Sequence, residues 1–383
     1  MSATLRFIHT ADLQLGMTRQ YMDAEARATF AQARIDVLRA IGRLAHDKAA
    51  AFVVVAGDVF ETNRVGPRTV RRALEAMGEI PVPVYLLPGN HDPLDAASVY
   101  RSPTFDRTRP PNVSVLDSSD PVEVSRGIEI VGAPWPSKRP LTDLVDAACS
   151  RLEPVPGLMR VVVGHGSVDA LVDFDSPAAI VLTALEAAIG DGRVHYVALG
   201  DRHSTTAVGS TGRVWYAGTP EPTAYDEVDP GNVLLVDVDT SGCEVTKVPI
   251  GSWRFIDQAF ELDGDVDLDA LERWLDSQPV KDRSMLRLAL RGSISLSQNA
   301  RVQNLVDAAR EVFGGVDDLS LSRDLIVRPD DDDFADVALT GFAAKTVERL
   351  RASASGDGPD AQAARDGLGL LVRLMKGSAG ASQ

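Results

Sequence analysis

Cysteine is nearly absent: the 383 residues hold two, Cys149 and Cys243, far apart and in no C-x-x-C pair. That excludes a disulfide framework and a cysteine-held zinc site, and it fits a reducing cytosol. Long apolar runs are missing too. The longest, residues 49–57, falls far short of the roughly 20 residues a membrane helix needs, so no membrane association is expected. The first residues pass almost directly into a strand-like run, without the basic segment, apolar segment and cleavage site of a secretory leader. A cytoplasmic protein is therefore expected. Positive charge is scarce: 39 Lys and Arg stand against 55 Asp and Glu, a net charge of −16. The bulk surface is ill suited to non-specific binding of polyanions.

What remains is an ordinary globular composition, 44% apolar and 25% charged, which excludes wholesale disorder. The length allows two or three domains. Apolar strands alternate with helical stretches through the first 250 residues or so. Strands are expected at 5–10, 51–56, 82–87, 128–133, 160–163 and 196–199. Helices are expected near 23–48, where Val37, Leu38, Ile41, Leu44 and Ala45 share a face, and at 68–77. Near-continuous β-branched runs separated by helices suggest a sheet covered on both faces.

From residue 213 the pattern changes. Segments 214–217, 232–238 and 244–250 read as an antiparallel meander that closes a first domain, 1–251. A small α+β domain, 252–329, follows, with helices at 268–276 and 299–313 and strands at 285–290 and 325–327. Residues 330–383 open on four aspartates, Asp330 to Asp333, read as a solvated linker and helix N-terminus. Two amphipathic helices are expected beyond it, one presenting Leu339, Phe342, Ala343, Val347 and Leu350, the other Leu368, Leu371, Val372 and Met375. A Gly-rich hinge at 353–359 joins them.

Five strand ends in the first domain terminate in metal-ligand residue types. They are Thr10-Ala11-Asp12-Leu13-Gln14, Gly57-Asp58, Gly89-Asn90-His91-Asp92, Gly164-His165-Gly166 and Gly200-Asp201-Arg202-His203. Sites in open α/β sheets form at the carboxyl ends of strands. On an extended segment, side chains two apart point the same way. Asp12 and Gln14 are thus expected to reach one ion together, as are Asp201 and His203. Asn90 and His91 are adjacent and should diverge, one toward metal and the other toward substrate. Glycine before the key residue permits the tight turn at four of the five strand ends, at Gly57, Gly89, Gly164 and Gly200.

This series resembles the D-x-H, G-D, G-N-H-D, G-H and G-H-x-H motifs of calcineurin-like metallophosphoesterases. The opening His9-Thr10-Ala11-Asp12 with Leu15-Gly16, the stretch from Tyr216 to Glu221, and the small domain after it resemble the SbcD-type DNA exonuclease branch. The resemblance implies an α/β calcineurin-like sandwich with a small α+β capping domain and a C-terminal helix pair. It implies two divalent ions. Asp12, Gln14, Asp58 and His203 would hold the first; Asp58, Asn90, His165 and Asp201 would hold the second, with Asp58 bridging. His91 matches the family's phosphate-contacting catalytic histidine. DNA is the implied substrate. An SbcC-type SMC-like ATPase is the implied partner of the C-terminal helices, and a homodimer through the first domain is also implied.

Two positions depart from the family pattern: Gln14 and Asp201 stand where histidine is usual. Both changes replace nitrogen by oxygen, which favours harder ions such as Mn²⁺ or Mg²⁺ over Zn²⁺; Mn²⁺ is the expected metal. The expected function is a Mn²⁺-dependent DNA exonuclease or endonuclease in DNA repair. The alternatives are a phosphodiesterase or phosphatase for small molecules, and a weakly active structural partner of the ATPase. His9 is expected to be structural, and Arg64, Arg68, Arg71, Arg72, Lys138 and Arg139 supply local positive charge.

Overall fold

The computed structural model describes residues 4–19, 22–171, 176–317, 324–327, 341–354, 359–361, 363–364, 366–368 and 370–371. The chain divides into two compact units, Met1–Arg19 with Arg27–Trp253, and Gln20–Ala26 with Arg254–Gln383.

In chain order the first unit runs β1 (Leu5–Thr10), α1 (Ala24–Asp47), β2 (Val53–Val55), α2 (Pro67–Gly78), β3 (Val84–Leu86), α3 (Pro103–Thr108) and β4 (Val113–Val115). It continues with β5 (Val122–Ser125), β6 (Ile128–Gly132), α4 (Leu144–Cys149), β7 (Met159–His165), α5 (Leu182–Gly190) and β8 (Tyr196–Gly200). It closes with β9 (Thr206–Val208), β10 (Val214–Tyr216), β11 (Asn232–Val238) and β12 (Cys243–Pro249). These strands form two six-stranded sheets, ordered β12-β11-β1-β2-β3-β4 and β5-β6-β7-β8-β10-β9.

The unbroken apolar strands follow from burial on both faces. Phe7, Phe52, Val54 and Tyr85 point inward against Val161, Val163, Tyr196 and Ala198 of the other sheet. Phe7 stacks on Phe52 at 4.8 Å and meets Tyr196 edge-on at 5.4 Å. Alternate residues of the first sheet, such as Ile8, Val53 and Val55, pack outward with Ile35, Leu38 and Ile41 of α1 and Val70, Leu74 and Met77 of α2. The second sheet packs outward with Val145 and Ala148 of α4 and Leu185 and Ala188 of α5.

The expected meander is corrected. β10 pairs parallel with β8 and antiparallel with β9 in the second sheet, whereas β11 and β12 form an antiparallel hairpin on the first. Val214 and Tyr216 are buried on the outer face of the second sheet, so packing rather than sequence proximity places this strand.

β1, β2 and β3 are mutually parallel, and so are β7 and β8. Within each sheet the carboxyl ends therefore lie at one edge. Those ends deliver residues 10–14, 57–58, 89–92, 164–165 and 200–203.

The second unit begins with β13 (Arg254–Leu262), α6 (Asp265–Ser277), β14 (Ser284–Ile294), α7 (Leu296–Val312), β15 (Gly315–Asp317) and β16 (Asp324–Val327). β13, β15 and β16 all pair with β14, and every pairing is parallel. Two β-α-β crossovers thus build the sheet, whose Leu286, Leu288 and Leu290 cluster with Leu268 and Leu271 of α6 and Val302 and Val306 of α7. α8 (Gly341–Ala354) follows; its Val347 and Ala354 share a buried cluster with Leu296, Ala300, Ala364 and Leu368. Asp330 to Asp333, Leu339, Val372 and Met375 lie outside the described residues. Among the described residues, no helix is long and apolar enough to cross a membrane.

Candidate metal centre

The loop after β1 is not extended, which corrects the basis on which Asp12 and Gln14 were paired. Both residues take left-handed backbone, with φ of 53° and 49°. The loop is zipped to its neighbour after β2: Asp12 N donates to Gly57 O (3.1 Å), Gln14 N to Asp58 O (3.0 Å) and Leu15 N to Val59 O (2.9 Å). Asp58 and Asp201 are left-handed as well, with φ of 51° and 97°. Four residues of the candidate site thus hold a conformation that costs most L-residues about 1–2 kcal/mol. Asp tolerates it better than Gln does, and His is also enriched there. Gln14 therefore departs from the family pattern in backbone preference as well as in donor atom.

Two glycines admit the ligands. A Cβ on Gly57 would fall 2.1 Å from His165 Nδ1, and one on Gly200 would fall 1.9 Å from Ala56 O. Only glycine lets the β2 and β8 ends close around the imidazole.

The convergence is tight. Asp12, Asp58 and His165 are all buried, and each offers a ligand atom within 4.8 Å of the others. His165 Nε2 lies 3.4 Å from Asp58 Oδ1 and 3.8 Å from Asp201 Oδ1. His203 Nε2 lies 3.9 Å from Asp12 Oδ1 and 3.5 Å from Gln14 Nε2, and Gln14 Nε2 is 3.5 Å from Asp58 Oδ2. Asp201 N donates to both Asp12 oxygens at 3.2 Å, and Ser167 Oγ donates to Asp201 Oδ2 at 2.9 Å. The structure thus brings together all seven ligand candidates.

Tautomers are set from behind. His165 Nδ1 is 2.9 Å from Ala56 O, a pure acceptor, so Nδ1 carries the proton and Nε2 turns a lone pair into the site. His203 Nδ1 is held by Glu227 Oε1 at 2.9 Å and Thr223 Oγ1 at 2.7 Å, again leaving Nε2 inward. Burial pushes the Asp12 carboxyl up to about 7 against the pull of His203 and His165. Burial opposes charge on His165, but Asp58, Asp12 and Asp201 outweigh it and push the imidazole up to about 9. For His203, burial is likewise outweighed, by its bond to Glu227 and by Asp12, again to about 9. Buried acceptors packed this closely call for a positive charge between them.

Gln14 Oε1 is buried and, among the described residues, has no hydrogen-bond partner, while its Nε2 faces Asp58 and His203. One further atom points to a cation. Asn90 Oδ1 sits 2.7 Å from His165 Nε2 and faces only acceptors. Turning the amide would instead place its NH2 3.2–3.3 Å from the Asp58 oxygens. A cation among these groups satisfies the first orientation. The all-nitrogen-and-oxygen donor set suits a hard or borderline divalent ion.

His91 diverges from Asn90 as expected. Its Nδ1 donates to Glu61 O at 2.9 Å, and its Nε2 stands 3.9 Å from Asp58 Oδ2. It is not enclosed: its side chain is 39% exposed, which suits a group that meets substrate. Asp92 is buried and braces the loop, accepting from Gly89 N (2.8 Å), Phe60 N (2.9 Å) and Tyr100 OH (2.6 Å). His9 is structural: Nε2 donates to Leu199 O (3.2 Å) and Nδ1 accepts from Tyr196 OH (3.1 Å), tying β1 to β8. Arg202 Nε donates to Thr206 Oγ1 at 3.0 Å.

Sequence reasoning missed Glu227, Thr223, Ser167 and Trp135. Trp135 Nε1 donates to His165 O at 2.7 Å, and its ring meets the imidazole edge-on at 5.8 Å. Glu227 is one of 55 acidic residues, 24 positions beyond the histidine it holds, and no spacing rule singles it out.

The sequence pattern of the calcineurin-like phosphoesterase family matches residues 5–204, more than half of the chain. Over 91 residues the chain is 35% identical to the DNA double-strand break repair protein Mre11 of Archaeoglobus fulgidus. That match covers 23% of this chain and 19% of that protein, so the chain spans about a fifth of its relative's length. Among solved structures, one from Thermus thermophilus aligns at 10% identity and a TM-score of 0.40, over 64% of this chain and 99% of that chain. A dimetal phosphatase from Danio rerio aligns at 11% identity and a TM-score of 0.40, over 63% of this chain and 98% of that chain.

Proposed function

The chain belongs to the calcineurin-like phosphoesterase family, and we propose that within it this protein is a Mn²⁺-dependent DNA nuclease of the SbcD type, serving DNA repair. The observation that carries the reading is the buried meeting of Asp12, Asp58 and His165, with Asn90, Asp201, Gln14 and His203 around it. The Mre11 segment supports DNA as the substrate class.

Asp58, with one oxygen toward His165 and the other toward Gln14, would be shared between two ions. Bound divalent metal in such a site activates water and offsets charge on the phosphoryl oxygens. The chain's own part is preorganisation. Ala56 O and Glu227 hold the two imidazoles in the ligand tautomer, and Ser167 holds Asp201. Glu61 O aims His91, and a proton on His91 Nε2 would reach the leaving oxygen. In this reading the C-terminal helices dock on an SMC-like ATPase, and the first domain dimerises.

A second reading, a feebly active partner of the ATPase, is favoured by one observation. Gln14 turns its NH2 rather than its oxygen toward Asp58 and His203.

The test is cleavage of end-labelled single- and double-stranded DNA with Mn²⁺, comparing wild type with His91→Ala. Loss of a general acid should slow cleavage by about 10²–10⁴-fold. Equal rates in the two proteins would remove His91 from the chemistry. Turnover of a small aryl phosphodiester with no attack on DNA, alone or with the ATPase, would overturn the nuclease reading.

A further inference from the structure

Some arginines on this acidic surface have acidic partners: Arg6 pairs with Asp237, Arg39 with Glu79, Arg151 with Asp120 and Arg193 with Asp191. Others do not, and three of those, Arg64, Arg68 and Arg71, cluster within eight residues of the chain beside the metal centre. All three are exposed, and among the described residues no carboxylate lies within ion-pair distance of any of them. Yet the chain has 55 acidic residues to draw on, and Glu75 lies one turn beyond Arg71. Arg72, the fourth of the cluster, is diverted to the Gln32 side chain on α1.

Their positions form a line. Val70, Ala73, Leu74, Ala76 and Met77 of α2 are buried, which turns Arg68 and Arg71 to solvent together. Arg64 lies in the loop before α2, ahead of the extended backbone at Gly66.

The line starts at the reacting centre. The loop carrying Arg64 is bolted to the loop carrying His91: Glu61 O accepts from His91 Nδ1 at 2.9 Å, and Asn63 Nδ2 donates to Pro93 O at 3.0 Å. Asn63 Oδ1 accepts from Val99 N at 2.9 Å. On the other side, a Cβ at Gly16 would stand 2.9 Å from Val65 Cγ1, so the same loop abuts the segment carrying Asp12 and Gln14.

Resting on the nuclease reading, we infer that Arg64, Arg68 and Arg71 form a track that takes the phosphate backbone of the DNA away from the metal centre along α2. A DNA strand presents one charge per about 3.4 Å of axis. The three-residue step from Arg68 to Arg71 rises about 4.5 Å, so the two guanidiniums can serve successive phosphates. Bidentate guanidinium pairing suits phosphate oxygens. The track needs no base contact, so it confers affinity without sequence preference.

The experiment compares the full-length wild type with a triple variant, Arg64→Gln, Arg68→Gln and Arg71→Gln. Duplex affinity is measured across a salt series, and turnover of bis(p-nitrophenyl) phosphate reports the metal centre. The expected result is a salt slope shallower by about 0.9 per lost contact, close to 3 in all, with weaker DNA binding and unchanged turnover of the small ester. An unchanged slope and affinity in the variant, with wild type binding DNA normally, would overturn the track alone. Wild type that neither binds nor cuts DNA would overturn the nuclease reading and the track with it. An Arg151→Gln control removes an arginine already paired with Asp120 and should leave the slope unchanged.

Discussion

Glu227 has a measurable task. Its side chain is 5% exposed and accepts from His203 Nδ1 at 2.9 Å and from Thr223 N at 2.9 Å, besides the Thr223 hydroxyl. Removing a group that orients a metal-ligating histidine costs about 10–100-fold in metal affinity, or about 1.4–2.7 kcal/mol. The two natural replacements should split that range. Glu227→Gln keeps an acceptor for His203 and Thr223 but loses the charge, so a loss near 10-fold is expected. Glu227→Ala leaves Thr223 Oγ1, 2.7 Å from Nδ1, as the remaining acceptor and strands the Thr223 N–H. That variant should approach 100-fold and lose about 1–3 kcal/mol of stability. The effect should be confined to the ion that His203 faces with Asp12 and Gln14. The ion beside His165 should be spared, because Ala56 O still holds that ring. If the site holds two ions as proposed, calorimetric titration of metal-free protein with Mn²⁺ resolves two binding events. If folded Glu227→Ala binds both ions as wild type does, the carboxylate does not position His203 and the reasoning fails.

Two other outcomes follow from the same geometry. His9 is fully enclosed, and burial pushes its imidazole down to about 3 from an ordinary value near 6.5. Between those values the unfolded chain holds the extra proton, so His9 contributes stability above 6.5 that is lost as pH falls, by about 1.4 kcal/mol per pH unit. The urea midpoints of wild type and His9→Gln should therefore converge as pH drops through that window, and parallel curves would refute the assignment. Gly57→Ala combines a φ of +93° with a Cβ 2.1 Å from His165 Nδ1. It should cost about 1–3 kcal/mol in thermal unfolding and displace a ligand, so retained Mn²⁺ stoichiometry would count against it.

The site was legible because each ligand follows a strand that is apolar on both faces, and because glycine marks four of the ends. β1, β2, β3, β7 and β8 all stood out for that reason. Strands without that burial did not: β5 is largely exposed, β9 is short, and β13 alternates between exposed and half-buried. β10 was recognised as a strand but placed wrongly, because pairing across a sheet leaves no trace in local spacing. The handedness of the backbone at Asp12 and Gln14 was equally hidden. Their two-residue spacing suggested an extended segment, whereas hydrogen bonds to Gly57 and Asp58 bend the loop. Glu227 was invisible because its role depends on where the loop after β10 returns.

The left-handed backbone at Asp12, Asp58 and Asp201 also shapes how such a site can decay. Few residues sit comfortably there; aspartate, asparagine, histidine and glycine are the main ones. An aspartate drifting under weak selection at these positions has one small exit, to asparagine. That step keeps the backbone, the volume and much of the hydrogen bonding, and removes only the charge. Chemistry would be lost well before shape. Descendants that had abandoned catalysis could keep this architecture intact, so whether positions 12 and 58 still carry a carboxylate is a better guide to activity than matching the fold.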